Sequence, residues 1–151
     1  MDQRTLASFL DLANHHPETS EKEVRELCQA VKKHGFHSAF VNPCWVKLAR
    51  ELIGSRGTVG TVVSFPLGQE MKDIKVLSAI EAINQGADEL DVSMNVGLFK
   101  EGRNDQVLAE MEAVVNAAKQ LKKSVLVKFI IETGLLTDEE IKKASELVLK
   151  S

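Results

Sequence analysis

The stretch Val125-Leu126-Val127-Lys128-Phe129-Ile130-Ile131-Glu132-Thr133-Gly134 has the apolar density of a strand buried on both faces, with a lysine in its middle. A buried ammonium is costly unless it is paired or has lost its proton, so Lys128 marks either a snorkelling side chain or chemistry. Strands of this kind belong to parallel sheets, and the rest of the chain repeats the pattern. SAFV within 37–42, TVGTVVSF (58–65) and DELDVSM (88–94) are short, apolar and rich in β-branched residues. A first strand is expected within LASFLDLA (6–13).

Helical segments separate these strands. Ser20 and Glu23 form a capping box, followed by Val24, Leu27, Cys28 and Val31 at helical spacing until Gly35. Asn42-Pro43 is a helix-start pair, with Trp45, Leu48, Ala49 and Leu52 as the stripe and Gly54 as the stop. Between Glu70 and Asn84 the expected stripe is Ile74, Leu77, Ile80 and Ile83, with Gly86 beyond it. Val107, Leu108, Met111, Val114, Val115, Ala118 and Leu121 form the clearest amphipathic helix. Thr137 and Glu140 make a second capping box, with Leu136 and Ile141 as a staple, so 138–150 is helical.

Five strands alternating with helices imply an α/β protein with a parallel sheet. Two architectures fit residues 1–151 as one domain: a five-stranded doubly wound sheet, or about five units of a TIM (β/α)8 barrel, which in full runs to about 250 residues. A partial barrel would stay open or be completed by association. Ionisable residues on three strands, Asp11, Asp91 and Lys128, speak for a site at the carboxyl ends of the strands, as both folds provide. A receiver domain would need a phosphorylatable aspartate ending the third strand. That strand ends in Ser64-Phe65-Pro66.

The chain has 151 residues, 44% hydrophobic and 27% charged, with a net charge of −3 and no extended basic run, so neither nucleic acid nor an anionic membrane is an expected partner. No window is long and apolar enough to span a bilayer and no signal peptide is evident, so the chain reads as cytoplasmic. Cys28 and Cys44 are expected as reduced packing residues. No metal motif, dinucleotide loop or phosphate-binding P-loop occurs, so no cofactor or metal is expected. The pairs His15–His16 and His34/His37 read as solvated loop positions.

A lysine and carboxylates in a water-poor barrel mouth suit imine formation and proton shuttling, the chemistry of a metal-free class I aldolase. FVNPCWV (40–46), VVSFPLG (62–68), GADELDVSMNVG (86–97) and VKFIIETGLLTDEE (127–140) together resemble the deoxyribose-phosphate aldolase family, in its order and spacing. The resemblance spans essentially the whole chain. It implies a TIM barrel that reversibly cleaves 2-deoxy-D-ribose 5-phosphate to glyceraldehyde 3-phosphate and acetaldehyde through a lysine Schiff base.

Residue by residue, the resemblance makes Asp91 a member of the proton relay, Lys128 an electrostatic support and Asp11 the first-strand site carboxylate. The family's Schiff-base lysine lies in a sixth-strand motif, G-A-D-F-[IV]-K-T-S-T-G, for which these 151 residues hold no counterpart, nor do they hold its later phosphate loops. The first strand departs too: Ala13 stands where the family carries a threonine and His15 where it carries a leucine. The chain alone is therefore expected to be inactive, with exposed strand edges covered by self-association or by a complementary C-terminal fragment. A non-catalytic binding or interaction module remains the alternative.

Overall fold

The computed structural model describes residues 2–151. After a short helix α1 (Gln3–Ala7), the chain alternates β1 (Asp11–Asn14), α2 (Glu21–His34), β2 (Ser38–Val41), α3 (Val46–Ile53), β3 (Thr58–Val63), α4 (Lys72–Asn84) and β4 (Glu89–Ser93). A short helix α5 (Val96–Lys100) and the long α6 (Asn104–Leu121) precede β5 (Leu126–Ile130), and α7 (Asp138–Lys150) follows it.

All four pairings are parallel and the strand order is β1-β2-β3-β4-β5. A doubly wound sheet reverses direction at a switch point, so its spatial order differs from its chain order. This sheet never reverses, which excludes the doubly wound alternative and leaves an open arc of five β/α units from a (β/α)8 barrel.

The two capping boxes form as read: Ser20 and Glu23 satisfy each other's backbone donors at the start of α2, and Thr137 and Glu140 do so for α7. Gly35 ends α2 in the left-handed region at φ 75°. On the helix-covered side of the sheet, Ala39, Val41, Val59, Val63, Leu90 and Val92 pack against Val24, Leu27, Ala49, Ala79, Ala82, Val114 and Ala118. A satellite cluster of Met94, Phe99, Val107, Met111, Ala144 and Leu147 joins α5, α6 and α7.

Several expectations need correction. Residues 3–7 are helical, capped by Asp2, and the strand begins only at Asp11. Asn42 makes no side-chain cap bond, and a 3-10 turn at Pro43–Trp45 leads into α3, whose buried residues are Val46, Ala49 and Ile53. On α4 the buried face is Lys75, Ala79, Ala82 and Ile83, whereas Ile74 and Leu77 are exposed. Small alanines let α4 approach the sheet and α6 closely, which turns its larger apolar residues outward. Leu121 is likewise exposed, and of the two free cysteines only Cys28 is buried. Among the described residues, no helix is long and apolar enough to cross a membrane.

Candidate active site

Parallel register puts paired residues on one face, and the face turned away from the helices is polar. Across it run Asp11 beside Ser38, Phe40 beside Gly60 and then Glu89, and Val62 beside Asp91 and then Lys128. In a closed barrel this face would be the interior.

The three ionisable residues expected from the sequence meet here. Lys128 Nζ lies 3.0 Å from Glu89 Oε2, 3.1 Å from Asp91 Oδ1 and 3.4 Å from Asp11 Oδ2, and 4.7 Å from the centroid of the Phe40 ring. The ammonium thus stands over an aromatic face inside a triangle of carboxylates. Asp11 also accepts a 2.5 Å hydrogen bond from Ser38 Oγ, and Glu89 is 2.7 Å from His37 Nε2.

This placement corrects one expectation. Asp11 is the first residue of β1 and Glu89 the first of β4, so the charged cluster extends from mid-strand towards the amino-terminal ends rather than sitting at the carboxyl ends. His37, an exposed loop position as expected, joins it through Glu89. Glu89 could have been found from its i−2 spacing to Asp91 on a strand. His37 and Phe40 could not, because nothing local reports which strands lie side by side.

Electrostatics separate the members. Burial works against the Lys128 charge, but Glu89 and Asp91 outweigh it and hold the ammonium's pKa above the ordinary lysine value. Burial pushes the Asp91 carboxyl above the usual carboxylate range, with Asp11 and Glu89 adding to it, and Lys128 offsets only part of the rise. Asp91 Oδ1 has a charge contact with Lys128 but no aligned hydrogen bond. The outcome is a fixed cation beside a carboxyl that takes up a proton more readily than an exposed aspartate. Such a pair suits electrostatic stabilisation and proton transfer, and the lysine is poorly placed to be a nucleophile.

Asp11, His37 and Glu89 could each offer one ligand atom within 4.8 Å of the others, a geometry a divalent ion can use. Their atoms already serve Ser38, Lys128 and one another, which favours the ion-pair network over a metal.

Beyond the carboxyl end of β1, the His15 ring lies edge-on to Phe40, with centroids 6.0 Å apart, and tilted against Phe65 at 5.8 Å. It is not a solvated loop side chain. Burial lowers its pKa, against a smaller opposing pull from Asn42 and the Asp91 charge, and its Nδ1 has no aligned hydrogen-bond partner among the described residues. Backbone strain gathers at the same end of the sheet, where the non-glycine residues Ser64 and Glu132 follow β3 and β5 at φ 58° and 60°.

Behind the site, Lys75 is completely buried. Its ammonium donates to Gly68 O at 2.7 Å, Ser93 O at 2.9 Å and Glu110 Oε1 at 2.6 Å, which uses all three donors. It ties the loop after β3, the end of β4 and helix α6 together. Sequence reading missed it, because a lysine inside an amphipathic helix reads as solvent-facing.

Residues 1–150 match the DeoC/LacD family aldolases. The chain belongs to that family. The deoxyribose-phosphate aldolase of Listeria welshimeri is 40% identical over 148 residues, which are 97% of this chain and 65% of the relative. Among solved structures, the aldolase QR15 superposes with a TM-score of 0.88 at 36% identity, covering 95% of this chain and 63% of QR15. The tetrameric deoxyribose phosphate aldolase of Aeropyrum pernix gives a TM-score of 0.82 at 28% identity over 99% of this chain and 60% of its own. This DeoC/LacD chain thus spans about two-thirds of the curated relative's length.

Proposed function

We propose that this chain supplies five of the eight β/α units of a deoxyribose-phosphate aldolase, and that the residues Asp91, Lys128 and Asp11 form its share of the active site. Asp91 belongs to the proton relay that accompanies carbon–carbon cleavage. Lys128 supplies a fixed positive charge, and Asp11 orients that charge from the opposite edge of the sheet. The substrate class is 2-deoxyribose 5-phosphate and related aldehydes, and the reading needs no metal or cofactor.

The observation that carries this assignment is the setting of Lys128 among three carboxylates, which keeps it protonated. A protonated amine does not attack a carbonyl. These 151 residues alone are therefore proposed to form no Schiff base and to lack aldolase activity. Borohydride reduction in the presence of acetaldehyde, followed by peptide mass mapping, tests this. No ethyl adduct on Lys128 is expected, whereas an adduct there would sink the assignment.

β1 and β5 each pair on one side only, and their residues are half-exposed where the inner strands are buried. Unpaired strand edges recruit partners. We propose that they are covered by a second copy of the chain or by a complementary C-terminal fragment of the barrel.

A further inference from the structure

Where the chain enters β2 and β3, a cavity of about 940 Å³ is lined by Arg4, Lys32, His37 and Arg56 over an apolar floor that includes Phe36 and Ile53. No carboxylate lines it. Among the described residues, Arg4, Lys32 and Arg56 form no ion pair, which they share with surface lysines such as Lys47 and Lys143; what sets them apart is that they line one cavity. In a chain of net charge −3, three exposed cations without acid partners around one cavity leave a local positive field that favours an anion.

The backbone adds donors to the same wall. Arg50 Nη1 takes the carbonyls of Gly54 and Gly57 at 2.7 and 2.9 Å, Gly57 N–H closes the turn at Ser55-Arg56, and the amides of Ser55 and Arg56 donate to no protein acceptor among the described residues. Consecutive free amides beside guanidinium groups are the elements of a phosphate site.

The ends of α2 and α3 nearby would oppose an anion through their carbonyls. Some of those carbonyls are occupied: Val31 O accepts from Gly35 and Phe36, Arg50 O from Gly54, and Leu52 O from Lys32 Nζ at 3.2 Å. Lys32 keeps two donors for another partner. The stem of Arg4 passes beside Gly35 at the cavity's edge, within 3.8 Å of where a Cβ on Gly35 would stand.

We propose that this cavity binds a small phosphorylated molecule bearing at least two negative charges, with its phosphates on Arg4, Lys32, Arg56 and the Ser55 and Arg56 amides and its organic part on Phe36. The proposal is independent of the aldolase assignment.

Calorimetric titration of the full chain with pyrophosphate, ATP and adenosine at low salt tests it, together with amide NMR. The expected result is saturable one-to-one binding of pyrophosphate and ATP, shifts at the Ser55 and Arg56 amides, and no binding of adenosine. Arg56→Glu and Lys32→Glu should each weaken ATP by about tenfold or more, equivalent to about 1.4 kcal/mol. Lys143→Glu, at an exposed α7 position outside the cavity, should leave affinity unchanged. Absence of saturable binding, or equal weakening by Lys143→Glu, would overturn the proposal.

Discussion

The Phe40 ring occupies the space above Gly60 on the neighbouring strand: a Cβ built on Gly60 would stand 2.0 Å from Phe40 Cε2. The same ring lies beneath the Lys128 ammonium. A missing side chain on β3 thus makes room for the aromatic floor of the charged site.

Gly60→Ala should therefore force Phe40 aside. Overpacking of this kind costs about 1–3 kcal/mol, and the midpoint of urea unfolding should fall accordingly. The displaced ring should also shift the Lys128 Nζ resonance, whereas a wild-type resonance and midpoint together would refute the linkage.

Lys75→Ala should be the most destabilising of these variants. It leaves Glu110 buried without its partner and strands two carbonyls, for a loss of about 3–5 kcal/mol by chemical denaturation. Lys75→Ala combined with Glu110→Ala should recover part of that loss, since the orphaned carboxylate is then gone.

His15→Leu should stabilise the protein by about 1 kcal/mol, because it replaces a half-buried imidazole whose Nδ1 has no aligned partner with an apolar side chain. The imidazole binds its proton less tightly folded than unfolded. Wild-type stability is thus complete above the ordinary histidine value of 6.5 and declines as the pH falls below it. Melting curves between pH 5 and 8, taken across about that range, should show this decline in the wild type and a shallower one in His15→Leu.

Lys128→Met should raise the Asp91 pKa further, because Lys128 is what restrains it. Carboxyl-carbon NMR of Asp91 reads this directly. In the wild type the raised Asp91 value makes its effect on stability largest in acid, fading as the pH climbs from 3.8 through the folded value. The Lys128 contribution runs at the other end: it is complete below 10.5 and is lost as the pH rises through the raised folded value.

Light scattering should find the chain larger than a monomer at micromolar concentration, with glutamates introduced at the exposed β5 residue Leu126 weakening association. A cooperatively melting monomer would refute the edge-covering proposal.

Much of this architecture was legible because local signals agreed. Capping boxes at Ser20 and Thr137 set two helix starts, and the apolar runs located four strands, with ends up to about two residues too long. The first strand misled because LASFL is apolar yet carries an Asp2 cap ahead of it, and the cap prevailed. The α4 stripe misled because burial there favours small residues beside Lys75 over the larger Ile74 and Leu77. In the site, Asp11, Asp91 and Lys128 stood out as charges on apolar strands. Glu89, His37 and Phe40 join them only through strand register, which becomes visible when the sheet is assembled.

The strand order matches the order of synthesis, so each strand's neighbour on one side has already emerged when that strand appears. With helices packing on a single apolar face, every new β/α unit can dock on its predecessor without waiting for distant sequence. The topology thus permits growth from the amino terminus, one unit at a time.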